Sequence, residues 1–298
     1  MNYYNEFKSY ITKNYPEQTA LGYLYDVKDF MLFLQNRYKK DINISDSLIS
    51  IMETDIYFYI EHLKKIEKNS VSTINRKLSS IKRLYGFLLD KKIISINPTV
   101  NIKSQTLSSK SKKIFTKDEC DKLLKSVNGK NKYRDLSIIM FFLFAGMTVQ
   151  EVCSLKLADI HAEYIHISSG DGKTRNVEKN KALKSILSQY LNEERTAASQ
   201  NCEFVFSGND GKAISKRTIH QIIVKHLKSA GLYEPGVTSE ALRKTGAYML
   251  QNFSDYNLDD IKKYLGLNAT ASLKNYIRDE SMHKTKDINK NPLATINL

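Results

Sequence analysis

The chain is short of the residues that build disulfide scaffolds, thiolate metal sites and membrane spans. Its three cysteines, Cys120, Cys153 and Cys202, are far apart and odd in number, so neither a disulfide framework nor a Cys-x-x-Cys metal site is expected. The longest apolar run, residues 136–145, is interrupted by Ser137 and is much shorter than the roughly 20 residues that span a bilayer. The first residues are polar and aromatic, which argues against a secretory signal. We therefore expect a cytoplasmic protein with no bound metal and no membrane segment.

Acidic residues are too few to balance the basic ones. The sequence has 46 Lys and Arg against 32 Asp and Glu, and a formal charge of +14. An excess of this size favours a polyanionic partner, and we expect nucleic acid rather than a membrane surface.

The excess is concentrated in residues 64–113, which hold 13 basic residues and two acids, Glu67 and Asp90. A run of charge is often only a solvated face, but this density over a helix and a linker predicts contacts with nucleic-acid phosphates and a steep dependence of affinity on salt. The predicted contacts in this stretch are Arg76, Lys77, Lys82, Arg83, Lys110, Lys112 and Lys113.

The first hundred residues have the pattern of helices joined by short polar turns. Apolar residues recur at helical spacing in residues 23–34 and 56–63. A third helix is predicted from Ser70 or Ser72, either of which can cap it, to Leu88.

A domain boundary is predicted after this helical region. Asn97-Pro98 ends the helices, because the residue before a proline is disfavoured in helical angles. The polar, basic stretch that follows has no apolar period and is predicted to be an extended linker. We place a helical domain at 1–103, the linker at 104–113 and a second domain at 114–298.

The second domain is predicted to be mostly helical with one hairpin. Thr116 and Glu119 form the pattern of a capping box that opens a helix. Residues 164–169 alternate as a strand does, a glycine turn follows, and residues 174–177 return as the partner strand. The fold class is therefore mainly α with a small β-sheet. Further helices are predicted at 179–194, 215–230, 240–252, 258–266 and 270–278.

Three segments of the second domain carry the strongest functional signal. They are Phe144–Leu155, Thr238–Ala247 and Leu265–Tyr276, in this order and at this spacing. Together with residues 72–88 and the capping box at 116–119, they resemble a tyrosine recombinase of the phage-integrase and Xer type. The resemblance covers nearly the whole chain.

This resemblance implies a fold, a partner and a reaction. It implies a helical core-binding domain and a catalytic-type domain that form a clamp around double-stranded DNA. It also implies up to four protomers on two DNA sites, and transesterification without a cofactor. Such enzymes act in site-specific recombination and in the integration of mobile elements. A tyrosine attacks a phosphodiester, two arginines stabilise the extra negative charge of the transition state, and a lysine protonates the leaving oxygen.

Several residues match the family's catalytic positions. Tyr276 matches the nucleophile and Arg243 matches the second arginine. Lys173 is the best candidate for the lysine of the strand turn, although an ungapped alignment puts Gly170 there. Arg175 is a weaker substitute for that lysine and a further candidate for DNA contact.

Three positions depart from the family, because Thr148, Glu240 and Leu267 stand where arginine, histidine, and histidine or tryptophan are usual. Thr148 has no charge and a short reach, and the loss of one transition-state ligand commonly costs about 3–4 kcal/mol. Glu240 would repel a phosphate by roughly 3 kcal/mol at about 5 Å. Two arrangements would remove that repulsion: an ion pair with Arg243, or protonation of Glu240. Leu267 donates no hydrogen bond.

The remaining polar groups and the C-terminal tail give weaker signals. The six histidines, which include His226, show no metal spacing and are expected to be surface or DNA-facing residues. The tail, residues 277–298, ends with apolar Leu293, Ile296 and Leu298. In related proteins such a tail docks on a neighbouring protomer, whereas a disordered terminus is the alternative.

Three hypotheses for the function stay open at this point. The first is a family member that binds a DNA site and acts in recombination or integration with impaired strand cleavage, beside an active recombinase as partner. The second is an active recombinase in which Lys173, Arg175 or another base supplies the missing charge. The third is a DNA-binding regulatory or architectural protein that inherited the fold.

Overall fold

Two units make up the chain, Met1–Lys110 and Ser111–Leu298. The computed structural model describes residues 3–38, 48–106, 113–170, 172–195, 202–208, 211–253, 256–267, 273 and 276. Both units are built of helices, and the second adds a two-stranded sheet. The predicted class, mainly α with a small sheet, is therefore confirmed. In the part of the chain that the structure describes, no helix is both long enough and apolar enough to cross a membrane.

The helices of the first unit pack around one apolar core. Phe30, Tyr59 and Tyr85 are fully buried in it. The third predicted helix is confirmed, and its cap is Ser70, whose Oγ accepts a hydrogen bond from the Thr73 backbone N at 3.2 Å. The described helices of this unit are α1 (Tyr3–Asn14), α2 (Glu17–Tyr38), α3 (Glu53–Lys65) and α4 (Val71–Asp90).

Residues 102–105 lie along α4. The Asn75 side-chain amide donates to the Gln105 carbonyl at 2.8 Å and accepts from the Gln105 backbone N at 2.7 Å. Lys82 donates to the carbonyl of Ile102. A carboxamide has both donors and an acceptor, as a peptide group does, so Asn75 pairs with this segment as a neighbouring strand would. Gln105, which the prediction puts in the linker, is thereby tied to the first unit.

The first described helix of the second unit begins at the predicted capping box. Thr116 Oγ1 accepts from the Glu119 backbone N at 3.2 Å, and the Glu119 carboxylate accepts from the Thr116 backbone N at 2.8 Å. The predicted hairpin is confirmed as an antiparallel pair in which Ile165 lies opposite Val177. The predicted helix at 270–278 lies outside the described residues except for Leu273 and Tyr276.

The other predicted helices of this unit are confirmed to within a few residues. The last five residues of the predicted 179–194 helix form a π-helical turn, Tyr190–Glu194. The elements are α5 (Lys117–Lys125), α6 (Lys132–Phe144), α7 (Val149–Ser154), a 3-10 turn (Leu157–Asp159), β1 (Tyr164–Ser168), β2 (Thr174–Glu178), α8 (Lys181–Gln189), α9 (Lys216–Ser229), α10 (Ser239–Phe253) and α11 (Leu258–Leu265).

Helix α6 is the centre of the second core. It is buried continuously from Asp135 to Phe144, as its apolar run predicts. Helix α10 crosses it at very close range, because a Cβ at Gly246 would lie only 2.2 Å from the Leu143 carbonyl oxygen. This contact fixes the position of α10, which carries Glu240 and Arg243.

His226 corrects the expectation that the histidines face solvent or DNA. It is 1% exposed, and its Nε2 lies 2.8 Å from Asp135 Oδ2. The reason is its register on α9, where it falls on the same face as buried Ile219, Ile222 and Ile223. The helical period of these isoleucines is a signal that could have placed it in the core.

Candidate active site

Thr148 is the N-cap of α7. Its Oγ1 accepts a hydrogen bond from the Glu151 backbone N at 3.2 Å, and its own backbone N donates to Glu151 Oε2 at 2.7 Å. This reciprocal pair satisfies two amide groups at the start of the helix. Thr148, which the sequence analysis matched to the first arginine of the family, therefore caps a helix here and brings no positive charge.

The carboxylate of Glu151 lies next to two arginines of the site. Arg175, on β2, donates to both of its oxygens at 2.6 and 3.1 Å. Arg243, on α10, approaches Oε2 at 3.8 Å. Burial alone would raise the pKa of the Glu151 carboxyl, but the hydrogen bonds and charge of Arg175 hold that pKa below its usual value. Glu151 therefore stays ionised and joins α7, β2 and α10.

Two glycines make room for this arrangement. Gly146 has a φ of +54° and its Cβ would lie 2.6 Å from the Tyr264 ring. Gly266 ends α11 with a φ of +66°, and its Cβ would lie 2.8 Å from Arg175 Nη1. Both positions need a left-handed backbone and a missing side chain, which only glycine supplies without strain. Larger residues there would displace the Arg175 guanidinium or the ring that packs beside it.

Arg243 is turned toward the protein backbone. Its Nη1 donates to the carbonyl of Gly146, and its Nη2 donates to the carbonyl of Leu265 at 2.7 Å. The residue is 2% exposed. Its Nε is buried, and no described residue accepts a hydrogen bond from it. The guanidinium is thus held rigidly, with only part of its donor set left for a phosphate.

Tyr276 lies against the polar side chains of α10. Its ring centroid is 5.3 Å from Arg243 Cζ and 5.7 Å from Lys244 Nζ. Burial raises the pKa of the Tyr276 phenol, the charge of Arg243 lowers it, and the charge of Glu240 raises it. The structure therefore brings together three of the residues singled out in the sequence, Tyr276, Arg243 and Glu240.

The acid at position 240 does not take the partner that the sequence suggested. Among the described residues, the cation near Glu240 is Lys244, with Nζ 4.0 Å from Glu240 Oε1, whereas the acid beside Arg243 is Glu151. Lys244 is 2% exposed and was missed from the sequence, because nothing in a lysine that follows an arginine indicates burial. Its spacing of four residues from Glu240 on one helix was the available signal.

Lys173 and Leu267 line a cleft beside this cluster. The cleft has a volume of about 660 Å³ and lies between β2 and α11, with Arg175 also on its wall. Lys173 is exposed just before β2. Leu267 is half-buried and packs against the core of the second unit. The catalytic role of Lys173 stays a prediction.

The basic residues predicted to contact DNA differ in how they are held. Lys77 is buried and pairs with Asp29 at 2.8 Å and Glu67 at 3.3 Å, so it is engaged within the first unit. Arg76 is exposed but pairs with Asp26 at 2.5 Å.

The other predicted DNA contacts are also engaged where the structure describes them. Arg83 lies over the Tyr15 ring at 5.4 Å, and Lys113 pairs with Glu119 at 3.0 Å. Lys82 donates to the backbone carbonyl described above. Lys110 and Lys112 lie outside the described residues. DNA contact by any of these side chains stays a prediction.

Comparison with known proteins defines the class to which this fold and site belong. The sequence model of the phage integrase family matches residues 113–283, and that of the N-terminal SAM-like domain of phage integrases matches residues 4–92. The chain therefore belongs to the phage integrase family of tyrosine recombinases, which act in site-specific DNA recombination.

Individual relatives agree with this assignment. A tyrosine recombinase XerC of Caldanaerobacter subterraneus subsp. tengcongensis is 29% identical over 304 residues, which cover 97% of this chain and 86% of that protein. The Tn1549 transposon integrase in complex with circular intermediate DNA has a TM-score of 0.74 at 18% identity, covering 94% of this chain and 96% of that one. The XerH recombinase bound to its difH substrate has a TM-score of 0.70 at 19% identity, and the match covers 93% of this chain and 81% of that one. At these identities, the two structures show that the fold is shared.

Proposed function

We propose that this protein binds a specific double-stranded DNA site and takes part in recombination or integration of a mobile element, with strand cleavage that is impaired. The observation that carries the proposal is the state of the two arginine positions. Thr148 caps a helix, and the guanidinium of Arg243 donates to the carbonyls of Gly146 and Leu265. The transition state needs two guanidinium groups, but these two positions supply one, that of Arg243, and its donors are already hydrogen-bonded to the backbone.

The other two departures support the same conclusion. Glu240 places a carboxylate beside Tyr276, where it disfavours both an approaching phosphate and the phenolate. Leu267 contributes apolar packing in place of a donor. Because the members of a catalytic unit act together, the three losses do not simply add, but each lowers the rate.

Covalent trapping tests the proposal. DNA fragments retained by the protein from sheared genomic DNA supply the site, and versions with a nick next to the scissile position prevent religation. We expect salt-sensitive binding without a protein–DNA adduct on a denaturing gel. The matched comparison is the triple variant Thr148→Arg, Glu240→His, Leu267→His, in which an adduct should form and should depend on Tyr276. An adduct with the unchanged protein that Tyr276→Phe abolishes would overturn the proposal.

One observation favours a second candidate, an active enzyme with a rearranged site. Arg175 and Arg243 contact the same carboxylate of Glu151, and both donate to the Gly146 carbonyl, Arg175 at 3.4 Å. Two guanidinium groups are therefore adjacent even without an arginine at 148. In this alternative Arg175 stands in for the missing arginine and Lys173 is the general acid, so Arg175→Lys would abolish the adduct.

We further propose that the protein works in the cytoplasm as a homo- or hetero-oligomer of up to four protomers on DNA. The support comes from the family and from solved relatives, such as a lambda integrase tetramer bound to a Holliday junction. An active recombinase as the partner would supply the cleavage that this chain performs poorly. A regulatory or architectural role remains the alternative from another class, and it predicts altered transcription at the bound site with no recombination.

A further inference from the structure

Lys244 is a buried cation that the proposed chemistry has not used. Its side chain is 3% exposed, and its Nζ lies 4.0 Å from the carboxylate of Glu240, one turn earlier on α10. The same Nζ lies 5.7 Å from the centroid of the Tyr276 ring. An ammonium group withdrawn from water needs a compensating partner, and here an acid and an aromatic ring are both beside it.

Among the described residues, three charged groups next to Tyr276 come from one helix, α10: Arg243, Lys244 and Glu240. Behind Arg243 lies Glu151 of α7, which also binds Arg175 of β2. Glu151 is thus shared by two arginines, and among the described residues Lys244 and Arg243 are positive charges next to the ring of Tyr276.

We propose that Lys244 is a positioning residue for Tyr276, with its ammonium holding the ring in the site and favouring the deprotonated phenol, and with Glu240 anchoring the ammonium. The inference rests on the proposal that Tyr276 occupies the nucleophile position. A cation over an aromatic face attracts the ring, and a positive charge near a phenol stabilises its phenolate. Because a tyrosine hydroxyl gives up its proton when it attacks, a nearby positive charge and a fixed ring both favour its action as a nucleophile.

The pair at 240 and 244 then explains how the site accepts an acid at a histidine position. Lys244 offsets the Glu240 charge locally, so the carboxylate does not need to pair with Arg243.

Ionisation of Tyr276 in the DNA-free full-length protein tests this inference. Fluorine NMR of protein labelled with 3-fluorotyrosine reports each phenol, and the signal that Tyr276→Phe removes belongs to Tyr276. At a fixed pH below the midpoint, Lys244→Met should lower the phenolate fraction by about three- to tenfold, whereas Lys244→Arg should largely restore it. Lys228→Met is the matched control, since Lys228 lies 5.1 Å from the ring centroid of another tyrosine, Tyr233, and should leave the Tyr276 signal unchanged.

A second variant keeps the inference testable if Lys244→Met does not fold. Glu240→Gln removes only an acid that is about half exposed, and it should raise the phenolate fraction of Tyr276. An unchanged Tyr276 titration in Lys244→Met, or in Glu240→Gln, would overturn the inference. The adduct assay is separate: an adduct with the unchanged protein would refute impaired cleavage and leave the role of Lys244 standing.

Discussion

At the scale of single residues, Glu151 connects three elements of the second unit, α7, β2 and α10. It closes the capping box with Thr148, binds Arg175 through both oxygens and lies beside Arg243. Its side chain is 6% exposed, so its charge is compensated almost entirely by these neighbours. Removing one partner of a buried ion pair leaves the other charge uncompensated, which is much more harmful than removing an exposed pair.

We expect Glu151→Gln to destabilise the second unit by about 3 kcal/mol at neutral pH. The pKa of Glu151 is lowered in the folded state, so its contribution is present above the unfolded pKa and is lost as pH falls through the folded one. The difference between the variant and the unchanged protein should therefore shrink in acid. Urea unfolding at a series of pH values, followed by a probe in the second unit, measures this.

Glu163→Gln is the control for that series. Glu163 pairs with Lys184 at the surface, where its side chain is 76% exposed, and exposed pairs contribute little. Its removal should give no measurable change at any pH. An equal effect of the two substitutions would show that Glu151 is not the buried anchor described above.

The catalytic roles of the residues singled out in the sequence stay predictions, but the structure does place several of these side chains next to one another. Tyr276, Arg243 and Glu240 were identified from motif positions, and the structure brings them together. What the sequence could not show was the choice of partners. Glu240 is near Lys244, four residues on along the same helix, whereas Arg243 is near Glu151 of another helix, a contact that only the packing of α7 against α10 reveals.

At the scale of elements, the crossing of α6 and α10 sets the geometry of the site. The missing side chain of Gly246 lets α10 touch the backbone of α6 at Leu143. A backbone carbonyl cannot turn away as a flexible side chain can, so anything larger must separate the two helices. Such a shift would move Arg243 and Lys244, which lie three and two residues earlier on the same helix.

We expect Gly246→Ala to destabilise the second unit by about 3 kcal/mol and to weaken the contact with Tyr276. Gly86→Ala is the matched control: Gly86 is also inside a helix, but nothing lies within 4 Å of an added Cβ. That change should stabilise the first unit by about 0.5–1 kcal/mol. Hydrogen exchange in each unit reports the two effects separately, and a tolerated Gly246→Ala would contradict the close crossing.

Helices and strands were predictable where the apolar spacing agreed with the capping and turn residues at their ends. The apolar spacing of α4, the capping box at Thr116 and the glycine turn between the strands each located an element correctly. The burial of His226 was missed although its helical period with the buried isoleucines of α9 was an available signal. What the sequence could not show is its partner in the core, Asp135.

At the scale of the whole molecule, the charge of +14 should dominate binding to DNA. With about six to ten phosphate contacts, affinity should fall by about 10³- to 10⁵-fold between roughly 50 and 200 mM salt. Arg83→Gln should reduce the slope of log K against log salt by about one, because Arg83 is exposed. Fluorescence anisotropy with a labelled duplex measures the slope.

Lys77→Gln, measured in the same salt titration, tests whether a buried lysine that is paired within the first unit contributes to DNA binding. Lys77 is buried between Asp29 and Glu67, so its loss should lower the stability of the first unit and leave the salt slope unchanged. A slope that falls as much for Lys77→Gln as for Arg83→Gln would mean that net charge alone, without position, governs binding.

The amide pairing between Asn75 and Gln105 has a consequence for chimaeras that exchange recognition modules between recombinases. Residues 102–105 are anchored on α4 by Asn75 and Lys82, and they should be transplanted together with it. A junction placed upstream of Ile102 would give these two side chains a foreign backbone to bind. A junction after Thr106 keeps α4 together with residues 102–105, so that Asn75 and Lys82 retain their own backbone partners.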